Sequence, residues 1–209
     1  MLREGAMPEE DVLKFATKNG EQVTLRLADC QDAEEIISVI TTNAPERSYV
    51  LMEHYGTKPD AVKRYICSMD FEKNLLLVAV TAKAVVGALS GIQMDGGKRP
   101  ETAHILNIGL HIVPAYRGQG IGAEMLNYAI NWAKKRAFKK LEANIFTINK
   151  RSLHLFQRSG FVEESERNIS MRCCWGRSCN VHSLGSALFH DGPHLIRPLS
   201  CPDMPELTA

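Results

Sequence analysis

The segment Val113-Pro114-Ala115-Tyr116-Arg117-Gly118-Gln119-Gly120-Ile121-Gly122 constrains the fold of this chain more than any other. It joins an apolar run ending at Val113 to a helical pattern carrying Met125, Leu126, Ala129, Ile130 and Ala133. Glycines at alternate positions therefore stand where a strand passes into a helix. They let the backbone approach a ligand closely, and the first helical turn adds unpaired N–H groups at the positive end of its dipole. Such a corner binds an anion, a diphosphate being the natural guest, and Arg117 can add a charge-assisted contact. No Gly-Lys-Ser or Gly-Lys-Thr follows, which excludes a Walker loop. Gly118, Gly120 and Ala123 do satisfy G-x-G-x-x-A, with Glu142 roughly 20 residues on. That dinucleotide fingerprint, however, follows the first strand of a βαβ unit, whereas this corner follows a meander.

Charge elsewhere does not assist. With 25 Lys and Arg against 24 Asp and Glu in 209 residues the net charge is +1, so no chain-wide field argues for nucleic acid or a membrane surface, and an anion must be held locally. The 44% apolar content is ordinary for one soluble domain. No window approaches the roughly 18 uninterrupted apolar residues of a membrane span, and MLREGAMPEED is charged where a signal peptide is apolar. A cytoplasmic protein without membrane or nucleic-acid partners is expected. Cys30 and Cys67 lie in the body, while Cys173, Cys174, Cys179 and Cys201 crowd toward the end. With nothing secretory beside them, reduced thiols are expected. The late cysteines with His182, His190 and His194 lack a paired C-x-x-C pattern, so no metal site is expected.

The remaining pattern predicts an opening hairpin, Leu13–Thr17 and Gln22–Leu27, around a type I′ Asn19-Gly20 turn. A helix starts at the capping box Asp32-Ala-Glu-Glu35 and ends before Pro45; a second starts at Pro59 with Val62, Tyr65, Ile66 and Met69 on one face. Near-continuous apolar runs, Leu75–Thr81 and Val85–Met94, form a buried antiparallel pair, and His104–Val113 is a third long strand. After the glycine corner and its helix come a strand over Leu141–Phe146 and a short helix over Asn149–Ser159, closed by Gly160. One domain over 12–190 is expected, with 191–209 a poorly ordered tail.

Two segments carry a family resemblance. Arg117-Gly118-Gln119-Gly120-Ile121-Gly122 resembles the Q/R-x-x-G-x-G/A signature of the GCN5-related N-acetyltransferases (GNAT). Asn149-Lys-Arg-Ser-Leu-His-Leu-Phe-Gln-Arg-Ser-Gly160-Phe161 resembles the family's second segment: an Asn, a small residue three on, Leu-Tyr, and a closing Gly-Phe. The resemblance runs from about Val23 to Val162. It implies an α/β fold, a mixed, mostly antiparallel central sheet flanked by helices, with a splayed strand pair binding acetyl-CoA between 104–113 and 141–146. The pyrophosphate would sit on the amides of Gly118, Gln119, Gly120, Ile121, Gly122 and Ala123 beside Arg117. The pantetheine would pair with Leu110, His111 and Ile112 like an added strand, while Asn149, Ser152 and Phe156 would contact the cofactor. The implied reaction is direct attack of a primary amine, of a small molecule or a protein, on the thioester, with the Ile112 amide donating to the oxyanion. The resemblance also implies two closing strands after Phe161 and a homodimer formed through them.

The chain departs from that pattern in places. Phe156 stands where the family commonly has a tyrosine to protonate the leaving thiolate; a thiol with an unperturbed pKa of about 8.5 leaves well enough that this slows turnover more than it abolishes it. The strand carboxylate often used to drain the amine proton is absent at Ile108 and at its neighbours Asn107 and Gly109. His104 and His111 are the substitute bases, having unperturbed pKa values near 6.5. Tyr49, Glu53, His54 and Tyr55 are candidates to line the acceptor pocket. Weak strands are expected over Val162–Met171 and Asn180–Phe189, turning at Trp175-Gly176-Arg177. The departures keep a second reading open, a catalytically weakened acetyl-CoA sensor.

Overall fold

A computed structural model describes residues 12–43, 58–172 and 178–188. The chain runs β1 (Leu13–Ala16), β2 (Gln22–Leu27), α1 (Ala33–Asn43), α2 (Pro59–Cys67), β3 (Leu75–Val80), β4 (Val85–Gln93), β5 (Ile105–Ile112), α3 (Ile121–Lys135), β6 (Lys140–Phe146), α4 (Lys150–Arg158), β7 (Val162–Arg172) and β8 (Ser178–Ala187). The strands form one sheet in the order β1-β2-β3-β4-β5-β6-β8-β7. Every neighbouring pair is antiparallel except β5 and β6, which are parallel. This is the mixed, mostly antiparallel α/β sheet expected.

The β3–β4 part of the sheet is covered on both faces, which explains why β3 reads Leu-Leu-Leu-Val-Ala-Val without alternation. Leu75, Leu77 and Ala79 join the core beneath α3 and α4, with Met125, Leu126 and Trp132. Leu76 and Val78 point the other way, into the core under α1 and α2 with Ile36, Val39, Val62 and Ile66. These two faces become the two sides of the site.

Local chemistry altered several expected details. The β1–β2 turn is not type I′, because that turn needs positive φ at both central residues and Asn19 does not have it. Gly20 alone has φ +82°, its amide donates to the Thr17 carbonyl at 2.9 Å, and the loop closes with Thr17 donating to Glu21 at 2.8 Å. That is a tight turn followed by a left-handed glycine bulge. The capping box lies one turn earlier than expected. Asp29 caps the short 3-10 turn Cys30–Asp32, and Asp32 accepts back from the Asp29 amide at 2.7 Å. Glu35 instead reaches across to the Val85 amide at 2.6 Å, pinning α1 to β4. Tyr65 does not share the buried face of α2; it is 52% exposed, while Val62 and Ile66 are buried.

The expectation of reduced thiols fails at Cys30 and Cys67, which form a disulfide. The 3-10 turn before α1 packs on the C-terminal turn of α2 and brings the two Cα atoms to 5.3 Å, within bridging range. Their sequence separation of 37 carries no hint of this. Cys67→Ser should lower stability by about 2–4 kcal/mol. Urea unfolding checks this: reductant should shift the wild-type midpoint to that of the variant and leave the variant unmoved.

The two strands expected after Phe161 form a hairpin, with β8 inserted between β6 and β7. The start of β7, on the outer edge of the sheet, is solvent-exposed over 162–165, which accounts for its weak alternation. The turn at Trp175-Gly176-Arg177, Cys173, Cys174, Cys201, His190, His194, and the 191–209 tail lie outside the described residues. Among the described residues no cluster of three or more His, Cys, Asp or Glu could hold a metal ion, and no helix is long and apolar enough to cross a membrane.

Candidate active site

The site begins where the parallel pair comes apart. β5 and β6 are in register only at Ile105↔Lys140, Leu106↔Leu141 and Asn107↔Glu142, and beyond them the strands diverge. β5 continues to Ile112 on the β4 side and β6 to Phe146 on the β8 side, leaving a wedge in the middle of the sheet. Backbone parity decides which groups face it. The Val113 amide donates to Val86 at 2.9 Å on the β4 side, and alternate residues of a strand address the same neighbour. His111 therefore turns its backbone to β4, whereas Leu110 and Ile112 turn theirs to the wedge. Of these two, the Ile112 carbonyl is already taken by Arg117 Nε at 3.1 Å.

Side chains alternate in the same way. Leu106 and Ile108 enter the core under α3 and α4, and Leu110 and Ile112 pack against it. Asn107, Gly109 and His111 face the opposite side, that of α1 and α2. The strand position looking toward that side is thus Asn107, not Ile108. On β6, Leu141, Ala143 and Ile145 enter the α3–α4 core, so Glu142 and Asn144 share the face of Asn107.

The glycine corner closes the open end of the wedge. Gly118 and Gly120 have φ +75° and +97°, with nothing within 4 Å of an added Cβ, so backbone conformation alone requires glycine at these positions. Gly122 is required for space: a Cβ there would meet Leu155 at 2.9 Å and Ile112 at 3.1 Å. Among the described residues, the amides of Gly118, Gln119, Gly120, Ile121 and Gly122 donate to no protein acceptor. The Ala123 amide, expected to join them, is spent on the Gly120 carbonyl at 3.0 Å. A row of free amides leading into a helix start is an anion cradle.

Arg117 is engaged with the protein. Besides the Ile112 carbonyl, its guanidinium donates to Asn43 Oδ1. Asn43, the buried last residue of α1, donates its own Nδ2 to the Val39 carbonyl at 2.7 Å. Arg117 thus braces the corner against α1. Across the wedge, Asn149 caps α4, its Oδ1 accepting from the Ser152 amide at 3.1 Å, and both residues are half-buried. Phe156 is 2% exposed and packs edge-on against Phe161 at 4.9 Å, so its ring belongs to the core.

The two histidines separate. His104 precedes β5, and its carbonyl accepts from Lys139 and Lys140 at the closed end of the wedge. It cannot reach a group bound where the strands diverge. His111 lies within the diverging part of β5. Burial, and secondarily the charge of Arg117, hold its pKa below the usual imidazole value, so it is neutral at physiological pH. In the unfolded chain the imidazole returns to about 6.5 and binds protons that the native form refuses. Native stability therefore falls as pH drops below about 6.5 toward the depressed native pKa. Melting temperatures from pH 7.5 to 5 should show this slope, and His111→Gln should flatten it. Tyr49, Glu53, His54 and Tyr55 lie outside the described residues.

A wedge in a mixed sheet with an anion cradle at its mouth defines an acyl-CoA-type acyltransferase architecture. The model of the Acetyltransferase (GNAT) family matches residues 37–161, and the chain belongs to that family. It is 30% identical over 141 residues to the "Putative phosphinothricin acetyltransferase YwnH" of Bacillus subtilis (strain 168), covering 68% of this chain and 85% of that one. A crystal structure titled "putative phosphinothricin N-acetyltransferase" superposes with TM-score 0.70 at 26% identity, covering 80% of this chain and 99% of that chain. The structure of "yncA, a putative acetyltransferase from Salmonella typhimurium with its cofactor Acetyl-CoA" superposes with TM-score 0.73 at 17% identity, covering 84% of this chain and 99% of that chain.

Proposed function

We propose that this chain transfers an acetyl group from acetyl-CoA to a primary amine by direct attack, the acceptor being a small molecule in preference to a protein. The observation that carries the reading is the wedge ending in a row of unpaired amides from Gly118 to Gly122. Acetyl-CoA fits both parts: the diphosphate is an anion for the cradle, and the pantetheine is an extended amide chain for the Leu110 backbone and the Ile112 amide. As the thioester carbonyl gains charge, an amide facing the wedge, Ile112 or Leu110, donates to it. The preference for a small acceptor rests on the relatives named for phosphinothricin, an amino-acid-like amine. A cytoplasmic homodimer joined along the β7–β8 side belongs to the same reading.

Phe156, buried where an acid would stand, favours the second reading, a cofactor-binding sensor. Calorimetry with acetyl-CoA tests both: absence of binding sinks them together. Thiol release is then followed across phosphinothricin, amino acids, polyamines, aminoglycosides and N-terminal peptides. Turnover with an amine supports the transferase. Binding with silence across the panel supports the sensor.

A further inference from the structure

A disulfide is at odds with the cytoplasmic setting proposed above, where bridges are transient and serve catalysis or redox sensing. Cys30–Cys67 has the accessibility that such a bridge needs, Cys67 being exposed and Cys30 half-buried. We propose that this bridge is a reversible thiol–disulfide exchange site, opened at the Cys67 sulfur by an acidic small-molecule thiol, and that opening it loosens α2 on the acceptor side. The exchange stands on the bridge and its surroundings; its effect on the acceptor rests on the transferase reading.

Exchange requires a thiolate to reach one sulfur from the side away from the other. An open cavity of about 410 Å³ lies against α2, lined by Asp60, Lys63, Arg64, Cys67 and Ser68, and Cys30 is not among its walls. Asp60, Lys63, Arg64 and Cys67 recur at i, i+3, i+4 and i+7, and so share one face of the helix. Two cations beside the exposed cysteine draw an anionic thiol and pair with its carboxylates, while Asp60 suits an ammonium group. Lys63 Nζ also donates to Gln31 Oε1 at 3.4 Å, which sets its charge beside the turn that carries Cys30. A thiol of the tripeptide class, bearing carboxylates and an amine, matches this set of charges.

What the bridge holds is α2. Its 9 residues are fewer than the roughly 12–15 that an isolated helix needs in water. Lys58 at its start supplies no side-chain cap, and only Val62 and Ile66 of it are buried. It lies against α1 and the Cys30–Asp32 turn. α1, by contrast, is fastened independently of the bridge: Asp32 before it to Arg26, Glu35 to the Val85 amide, and Asn43 to Arg117. Opening the bridge therefore releases the end of α2 while α1 and the glycine corner keep their places. The effect falls on an amine approaching from the α1–α2 side and not on acetyl-CoA.

The exchange balances. A small thiolate bonds to Cys67 Sγ as the bond between the two Sγ atoms breaks, and Cys30 leaves as a thiolate that takes a proton from solvent. A second small thiolate bonds to the small-molecule sulfur of the mixed disulfide, and Cys67 leaves and is protonated in turn. The bridge is reduced by two electrons, and two small thiols become one disulfide. The reverse sequence, driven by the oxidised small molecule, restores the bridge.

The test places the full-length protein in buffers of set ratio of reduced to oxidised glutathione, quenches with an alkylating reagent and maps the cysteines by mass spectrometry. Reduced glutathione should convert the bridge to two alkylated cysteines, oxidised glutathione should restore it, and the glutathione adduct should form on Cys67 and not on Cys30. Lys63→Glu combined with Arg64→Glu should slow opening by glutathione about 10-fold and leave opening by neutral mercaptoethanol unchanged. Once the thiol is removed, reduced wild type should show an acceptor KM raised about fivefold or more, with the calorimetric Kd for acetyl-CoA unchanged. Oxidation should reverse this, and Cys67→Ser should match the reduced protein in either buffer. The wild-type cycle decides the matter even where Cys67→Ser does not fold. If reduced glutathione leaves the bridge closed, or if the adduct forms on Cys30, the exchange site is overturned. If the bridge opens and the acceptor KM does not move, the coupling to α2 is overturned. If wild type acetylates no amine, the transferase reading fails, and mass spectrometry alone decides the exchange site.

Discussion

Gly120→Val should abolish acetyl-CoA binding in a protein that still folds. At φ +97° and ψ −17° Gly120 occupies left-handed backbone space as the cap of α3, where a β-branched residue is a strained outlier. Valine cannot hold this conformation, so the 118–122 amides lose their common orientation. Charge-assisted hydrogen bonds to a phosphate are worth about 1.5–3 kcal/mol each, and misaligning two of them weakens binding by about 100-fold or more. The core is spared, since nothing lies within 4 Å of an added Cβ. Calorimetry should show binding lost, with urea unfolding showing a loss of about 1–3 kcal/mol, the size of a local backbone strain. Gly122→Val provides the contrast, because its side chain would strike Leu155 and Ile112. It should lose stability as well as binding.

Asp32→Ala should be among the most destabilising single substitutions outside the cores, lowering stability by about 3–5 kcal/mol. The Asp32 side chain is 8% exposed and takes both terminal nitrogens of Arg26, at 2.6 and 2.7 Å. It also accepts the Asp29 amide at 2.7 Å. The hydrogen bond between the Asp32 carboxylate and the guanidinium, above all, raises the Arg26 pKa against the opposing effect of burial. Alanine would leave a part-buried guanidinium and a helix-start amide without a partner. Asp32→Asn, keeping the shape and one oxygen, should cost less, and a double cycle with Arg26→Met should show strong coupling in chemical unfolding.

Asp32 also shows where sequence reading ran out. Asp29 with Asp32 and Asp32 with Glu35 both have capping-box spacing, and local spacing cannot choose between them. The choice is made by Arg26, whose strand position brings a cation to Asp32, and by Val85, whose amide claims Glu35. The strands, by contrast, were legible almost to the residue: β2 because its alternation survives, β3 and β4 because uninterrupted apolar runs of that length suit strands covered on both faces. The glycine corner was legible because its chemistry is local to six residues. The Cys30–Cys67 bridge was not, because it joins residues 37 apart that only the packing of the turn before α1 on the end of α2 brings together.

The wedge between β5 and β6 has a consequence for how the free protein avoids association. An unpaired strand edge is a template for any passing chain, and proteins ordinarily blunt such edges at the rim of a sheet. Here two edges are opened in the interior, between strands that remain paired on their far sides. The gap narrows to nothing at Asn107 and Glu142, and α3 and α4 flank one face. A foreign strand needs uniform width along several residues, which this taper does not offer, whereas on the acetyltransferase reading it suits a slender pantetheine. Geometry therefore makes the sheet selective about what may complete it. Amide hydrogen exchange should report this directly, with the Leu110 and Ile112 amides slowing when acetyl-CoA is added and remaining unprotected by peptide strands.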